Sequence, residues 1–217
     1  ISADAAAATD IEPLLAMGEA ALADGDGVRA ADIFAQIAEI APDSAAALGG
    51  QIRALVLAGE LDAAEALYQQ VLRLAPRHFD ALHMMGAIGL QRYEAEKALP
   101  WLQQALAVYE ADDALHFHLA LAYLAQKLWP QAYTHVRRSL ALNPHHPQAW
   151  VHCGGIEIAM GDVSKGLASM GNAVALEPLN VDGQYRYALA LGDQFHFQEA
   201  LAALDYPNYE VLVIDNN

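Results

Sequence analysis

The 217-residue chain carries a formal net charge of −16, with 27 acidic residues against only 11 Lys and Arg. This balance makes nucleic acid and anionic membrane surfaces poor partners, since both bind clustered positive charge, and we expect no nucleic-acid partner. Apolar residues make up 55% of the chain, but no apolar run reaches the roughly 18 residues that cross a bilayer. We therefore expect no membrane insertion.

Cysteine usage and the first residues bear on the cellular compartment. The single cysteine, Cys153, cannot form an internal disulfide, and this favours a cytoplasmic protein. The opening stretch ISADAAAATD has neither the basic region nor the apolar stretch of a secretory signal. Because the chain starts with Ile, we expect a fragment or a processed product.

A pattern with a fixed period of 34 residues follows a short N-terminal extension, residues 1–10. Each unit reads as a helix, a tight turn, a second helix and a closing proline, and Glu110 takes the place of one missing proline. The closing prolines are Pro42, Pro76, Pro144 and Pro178. The register predicts units 11–44, 45–78, 79–112, 113–146 and 147–180, with a partial sixth unit at 181–204.

The turn inside each unit has its own chemistry. Gly25, Gly59 and Gly161 stand where a residue with positive φ ends the first helix. A carboxylate follows in four units and is expected at the N-terminus of the second helix, where the helix dipole favours it. These carboxylates belong to Asp26, Glu60, Glu94 and Asp162.

Each second helix has a small residue at one fixed position and a large residue four positions later. The small position holds Ala30, Ala64, Ala98, Ala132 and Gly166, and the position four residues later holds Phe34, Tyr68, Leu102, Val136 and Met170. Residues four apart share one helix face, so we expect these pairs where the helices cross. Trp150 and Tyr123 are also predicted to pack in the core.

Period, turn chemistry and the small–large pattern together resemble the tetratricopeptide repeat family over residues 11–204. The resemblance implies an all-α, right-handed α-solenoid of about six helix–turn–helix repeats, followed by a short strand-like tail at 205–217. Two prolines depart from the pattern. Pro100 should kink the second helix of its unit or delay its start, whereas Pro130 falls in a first turn, where it is tolerated.

In such arrays the first helices line a concave groove, and helical spacing selects the residues that would face it. Arg53 lies beside Gly49 and Gly50, which would make the groove locally shallow. The predicted groove residues are Arg53, His83, Met84, Phe117, His118, Leu121, Val151, His152, Tyr185, Arg186 and Leu189. Their solvent-facing side chains would suit an extended segment or a helix with apolar anchors.

Some tetratricopeptide co-chaperones grip a C-terminal carboxylate through Lys, Arg and Asn. His83, Gly49, Gly50 and His118 stand where such a clamp needs cations or amides, so the resemblance implies no clamp here. His118 and His152 occupy equivalent positions of successive repeats and could meet on a metal ion. We favour ordinary polar lining of the groove and predict no metal site and no cofactor.

Nothing in the sequence has the spacing of a catalytic site. Gly154–Gly155 falls inside a predicted helix, where close packing explains it better than a phosphate cradle. Asp112–Asp113 is interpreted as a loop and a helix cap, and Cys153 is expected to point into the helix packing. The chain as given is therefore predicted not to be an enzyme.

The last residues follow a different pattern. Pro207 should stop the preceding helix near Asp205, and the apolar run YEVLVIDNN reads as a buried strand. The stretch ALAALDYPNYEVLVIDNN resembles part of the nucleotide-sugar domain of family 2 inverting glycosyltransferases. The resemblance would place a nucleotide contact on Asp215, but the preceding strand and the Asp-x-Asp motif are missing. A fusion and a chance match stay open, and the Val211–Ile214 run could instead support self-association.

The N-terminal half is also weakly similar to the tetratricopeptide arm of thioredoxin-like co-chaperones, without their Cys-x-x-Cys domain. Taken together, the sequence predicts a non-catalytic scaffold that binds a peptide or a partner surface in the groove. The alternatives are the N-terminal arm of a family 2 glycosyltransferase, cut before its catalytic motifs, and a co-chaperone arm that holds unfolded clients.

Overall fold

The structure, a computed structural model, describes residues 3–41 and 44–192, and the side chains of 11–41, 44–181 and 183–192. The predicted tail at 205–217, with Asp215, lies outside the described residues. Within the described ranges all regular structure is helical, so the predicted all-α fold is confirmed there. The helices are α1 (Ala3–Ala23), α2 (Gly27–Ile40), α3 (Ala45–Ala58), α4 (Leu61–Leu74), α5 (Phe79–Gln91), α6 (Ala95–Leu106), α7 (Asp113–Ala125), α8 (Trp129–Leu142), α9 (Pro147–Ala159), α10 (Val163–Leu176) and α11 (Val181–Gly192).

The chain divides into two compact units. Unit 1 covers residues 1–109 and holds α1 to α6, and unit 2 covers residues 110–217 and holds α7 to α11. Inside each unit every helix packs on the next one along the chain. In addition, α1 contacts α3 in unit 1 and α9 contacts α11 in unit 2.

Each hairpin turns through one residue in the left-handed conformation. The predicted glycines have φ values of 77° at Gly25, 79° at Gly59 and 95° at Gly161. Tyr93 and Lys127 take the equivalent places, with φ of 60° and 59°. After each such residue, the next backbone N–H donates to the carbonyl five residues earlier, as in the Schellman motif. The turn geometry is thus kept where the glycine is not.

The carboxylates that precede the helices differ in whether they form a side-chain cap. Asp26 and Asp162 each accept a hydrogen bond from the backbone N–H three residues on, at 3.0 and 3.2 Å. Glu60 and Glu94 make no side-chain cap, because their side chains are one methylene longer. Asp112 caps α7 at 2.6 Å from the N–H of Leu115, as expected.

The caps of the first helices recur every 34 residues with changing chemistry. They accept the third N–H of their helix through Ser44, His78, Asp112, His146 and Asn180. His78 and His146 accept through Nδ1 at 3.3 Å. Each must therefore carry its ring proton on Nε2.

The small and large positions of the second helices form the core, as predicted. Ala30, Ala64, Ala98 and Ala132 are fully buried, and so are Phe34, Leu102 and Val136. Pro100 does not delay its helix, because α6 begins at Ala95 and runs through the proline. Pro130 lies in the first turn of α8, where its missing N–H has no partner to lose. Trp150 and Tyr123 are half-buried at the edge of the unit 2 core.

Candidate functional site

In unit 1, helix α3 lies unusually close to α2. Gly27 and Gly50 make this approach possible. A Cβ on Gly27 would be 2.5 Å from the backbone N of Ala58, and one on Gly50 would be 2.2 Å from the ring of Phe34. Because neither position carries a side chain, α3 packs directly against α2 at its C-terminal end and near its middle. The expectation that Gly50 faces the groove is therefore wrong, since it lies buried against Phe34.

The other side of α3 is looser. In three hairpins a glycine of the first helix lies under the large residue of the second, in the pairs Gly18 with Phe34, Gly86 with Leu102 and Gly154 with Met170. The equivalent pair between α3 and α4 is Ile52 with Tyr68, two large side chains. The helices α3 and α4 consequently pack less tightly than the helices of the other hairpins, and a groove opens beside Ile52.

We call this cleft the unit 1 groove. It has a volume of about 880 Å³ and is bounded by α3, α4, the start of α5 and the end of α1. Its apolar lining consists mainly of Leu48, Ile52, Val56, Tyr68, Val71 and Met84. Leu57 and Leu74 complete the rim and are 48% and 78% exposed. A cleft of this size with a mostly aliphatic lining is typical of a binding site.

Few charged groups line the unit 1 groove. The guanidinium of Arg53 is bound to the carboxylate of Glu19, and Asp80 is exposed in the first turn of α5. The phenol of Tyr68 is 8% exposed. Burial, and then the charge of Asp80, raise the pKa of Tyr68 to about 12. The phenol therefore stays neutral at physiological pH and presents a polar tip among aliphatic side chains.

Of the predicted groove residues in unit 1, Arg53 and Met84 line the cleft, together with Gly49. His83 does not. It is 8% exposed, and its ring packs 5.6 Å from the ring of Phe79. The prediction that His83 lines the groove is therefore wrong. His83 directly precedes Met84 in the sequence, but its side chain is buried whereas that of Met84 lines the cleft.

Unit 2 has a smaller cleft, the unit 2 groove, formed by two adjoining cavities of about 290 and 470 Å³. Both are lined by Val151, His152 and Arg186. The smaller cavity adds polar groups such as Gln148 and Asn180. The larger adds apolar ones, including Leu124, Trp129, Ile158, Leu189 and Gly155. Four predicted groove residues, Val151, His152, Arg186 and Leu189, are thus brought together.

The remaining predictions in unit 2 are mixed. Phe117 is 7% exposed and belongs to the core, with its ring 4.6 Å from that of His146 and 5.6 Å from that of His152. The expectation that Phe117 faces solvent is wrong. His118 and Leu121 are half-buried beside it. Tyr185 is 54% exposed and lines neither cavity.

The glycine pair of α9 separates into two roles. A Cβ on Gly154 would lie 2.6 Å from the carbonyl oxygen of Gly166, so this glycine is needed for close packing, as predicted. Gly155 has open space around it and lines the unit 2 groove instead. The close-packing interpretation is right for Gly154 and wrong for Gly155.

A histidine pair that the sequence analysis did not single out joins α7 to α8. Nδ1 of His116 and Nδ1 of His135 are 2.9 Å apart, and Nε2 of His116 is 2.9 Å from the carbonyl oxygen of Glu110. Because a carbonyl only accepts, His116 carries its proton on Nε2 and accepts from His135 at Nδ1. Burial lowers the pKa of both rings, that of His135 to about 4.

A second polar group was also missed. Glu157 is 2% exposed between α8, α9 and α10, and accepts hydrogen bonds from Ser169 at 2.6 Å and from Tyr133 at 3.2 Å. The ammonium of Lys165 lies 3.5 Å from the same carboxylate. Nearby Cys153 is buried, as expected, and burial followed by the charge of Glu157 raises its pKa to about 11. A thiol of this kind is no nucleophile at neutral pH.

No group of three or more His, Cys, Asp or Glu side chains in the described part of the chain is placed to hold a metal ion. No described helix is both long and apolar enough to cross a membrane. What the site offers is shape and apolar surface.

The sequence of unit 1 matches a known family. Residues 21–88 match the tetratricopeptide repeat family model, and this range contains all the residues that line the unit 1 groove. Comparison with curated proteins gives no significant match. The matched range covers less than half of the chain, and the helical hairpins of the described residues have the tetratricopeptide fold.

Solved structures show the same fold. The chain is 18% identical to PilF of Pseudomonas aeruginosa, with a TM-score of 0.77 over 91% of this chain and 90% of PilF. It is 22% identical to MamA from Desulfovibrio magneticus, with a TM-score of 0.68 over 78% of this chain and 96% of the MamA fragment. For YrrB, a tetratricopeptide protein described as having an unusual peptide-binding site, the identity is 19% and the TM-score 0.63, over 88% of this chain and 98% of YrrB. The family match and these structures do not show the predicted resemblance to a glycosyltransferase or to a co-chaperone.

Proposed function

We propose that the chain is a non-catalytic protein-interaction scaffold that binds a peptide or a partner surface in its grooves. The observation that carries the proposal is the unit 1 groove, an aliphatic cleft of about 880 Å³ built by a local departure from the repeat packing. Support comes from the tetratricopeptide fold and from YrrB, a structural neighbour described as a peptide-binding protein.

The length and lining of the groove favour a segment of protein chain as its ligand. The groove follows α3 from Ala45 to Leu57, a length of about 18 Å at 1.5 Å per residue. This length corresponds to about three turns of helix or to five or six extended residues. Aliphatic side chains line its whole length, so affinity would come from apolar anchors of the bound segment.

The test is selection from a random peptide library displayed on phage, with the full chain as bait. Leu57→Gln combined with Leu74→Gln removes exposed aliphatic surface from the rim without changing charge. Val28→Gln combined with Ile40→Gln is the matched control, because these side chains are also exposed and lie in unit 1 away from the groove.

We expect enriched peptides to lose at least about tenfold in affinity on the rim variant, which is about 1.4 kcal/mol, and less than about twofold on the control. Circular dichroism should show equal helicity in all three proteins. Enriched peptides that bind the rim variant as well as the parent chain, or a library without enrichment, would refute the proposed function.

A second candidate rests on the stretch ALAALDYPNYEVLVIDNN, which favours an arm of a family 2 glycosyltransferase. In that case the groove would position an acceptor or a partner for a catalytic domain carried elsewhere in the parent protein. An antibody raised against the repeats tests this candidate. A native species far larger than 23.3 kDa with glycosyltransferase activity would support it, and a species of about that mass would remove it.

A further inference from the structure

The apolar lining of the unit 1 groove and the acidic charge of unit 1 favour one class of partner. We propose that it binds a basic amphipathic segment of another protein, whose aliphatic side chains fill the groove and whose Lys or Arg side chain contacts Asp80. This inference rests on the proposed function and deepens it by naming the class of the partner.

The lining determines the apolar half of the partner. Leu48, Ile52 and Val56 follow one another along one face of α3, and Val71 and Met84 face them from α4 and α5. A partner that buries these side chains must offer aliphatic or aromatic groups at matching intervals. An entirely polar segment would leave its own groups desolvated against this lining and would be rejected.

The charges determine the other half. Unit 1 contains fifteen Asp and Glu against six Lys and Arg, a net charge of −9. A second copy of this chain or an acidic peptide would bring like charge to the groove, which lowers the association rate and the affinity. A segment with several Lys or Arg side chains is instead attracted from a distance and held at the rim.

Asp80 is the carboxylate best placed to contact such a segment. It is exposed, lines the groove, and influences the Tyr68 phenol at the groove floor. Among the residues that line the cleft, the other fully charged side chain is Arg53, and its guanidinium is bound to the carboxylate of Glu19. The negative charge that the lining itself carries therefore belongs to Asp80.

Fluorescence anisotropy on the full chain tests the inference. The probe is a labelled 14-residue peptide with Leu at helical i, i+3, i+4, i+7 spacing and Lys elsewhere. Its counterpart has Glu in place of each Lys, and a scrambled Leu/Lys peptide tests the spacing. Asp80→Asn removes the proposed contact, and Glu39→Gln removes one exposed charge of unit 1 away from the groove.

We expect the Leu/Lys peptide to bind at least about tenfold more tightly than the Leu/Glu peptide, with an affinity that falls as salt rises. Asp80→Asn should weaken binding about three- to fivefold, because an exposed ion pair contributes at most about 1 kcal/mol. Glu39→Gln should change it less than about twofold, because a distant surface charge is screened.

Failure of this inference is distinguishable from failure of the proposed function. If both peptides bind equally and both depend on Leu57 and Leu74, the groove binds peptides but does not select basic ones, and the inference is overturned. Equal effects of Asp80→Asn and Glu39→Gln overturn the contact with Asp80. If no peptide, from the library or designed, depends on the rim leucines, the proposed function itself fails.

Discussion

Two neighbouring glycines of α3 allow the origin of the groove to be tested by stability. Gly49 has open space around its Cα, whereas a Cβ on Gly50 would lie 2.2 to 2.6 Å from the ring of Phe34. Replacing Gly by Ala inside a helix stabilises it by about 1 kcal/mol when nothing obstructs the methyl group. Gly49→Ala should therefore raise the free energy of unfolding by about that amount.

Gly50→Ala gains the same helix propensity but overpacks the contact between α3 and α2. Phe34 is fully buried and cannot swing away, so the clash should cost about 1–3 kcal/mol. We expect Gly50→Ala to be less stable than Gly49→Ala by about that amount. Urea denaturation followed by far-UV circular dichroism measures the difference as a shift in midpoint at constant slope.

The rescue experiment uses Phe34→Leu. A smaller side chain should accept the new methyl group, so the double variant Gly50→Ala with Phe34→Leu should be more stable than the sum of the single changes predicts. If Gly50→Ala is as stable as Gly49→Ala, α3 is not held against α2 in this way. The explanation of the groove by close packing on one side of α3 would then be refuted.

Three further predictions concern the turns and the buried polar groups. Tyr93→Gly and Lys127→Gly should each raise the free energy of unfolding by about 0.5–1 kcal/mol in urea denaturation. Both residues have positive φ, a conformation that costs about 1–2 kcal/mol for residues other than glycine. A loss of stability would show that the turns are unstrained. The pKa of His135 is lowered to about 4 in the folded chain, so unfolding takes up a proton, and the free energy of unfolding should fall as pH drops from about 6.5, the pKa of an unfolded His, to about 4. In an acid titration of stability, His135→Phe should flatten this part of the curve. An unchanged slope would contradict the assignment. Ser169→Ala should cost about 1–3 kcal/mol because Glu157 loses a donor in a buried site, and a thermal melt that does not move would show that water replaces the hydroxyl.

The sequence predicted the helical hairpins because their turns obey simple steric rules. Once Gly25, Gly59 and Gly161 establish the register, the same rule places positive φ at Tyr93 and Lys127. That consequence follows from the period alone, although neither residue prefers this conformation. The surrounding Schellman hydrogen bonds and the packed helices impose the geometry on them.

The groove residues were harder to predict, for a physical reason. Helical spacing identifies one face of a first helix, but the boundary between that face and the core depends on how closely the next helix approaches. Phe117 and His83 were placed on the wrong side of this boundary and are buried. Val151 and Leu189 line the unit 2 groove.

The missed polar groups show a similar limit. His116 and His135 are 19 residues apart and carry no motif, so only the packing of α7 on α8 brings their Nδ1 atoms to 2.9 Å. One signal was available in the sequence, since Glu157 lies in a mostly apolar stretch of α9. A carboxylate in such surroundings requires partners, although the sequence does not say which.

The unit 1 groove arises where the repeat pattern is broken in two ways at once. Gly27 and Gly50 let α3 approach α2 more closely than a side chain would allow, while Ile52 replaces the small residue that lets other first helices approach their partners. Both changes favour packing of α3 on α2 over packing of α3 on α4, and the exposed aliphatic surface follows from them. A regular repeat would bury that surface between neighbouring helices. Packing therefore accounts for the position of the proposed binding site, and the acidic residues of the same unit are the basis for the proposed preference for a basic segment.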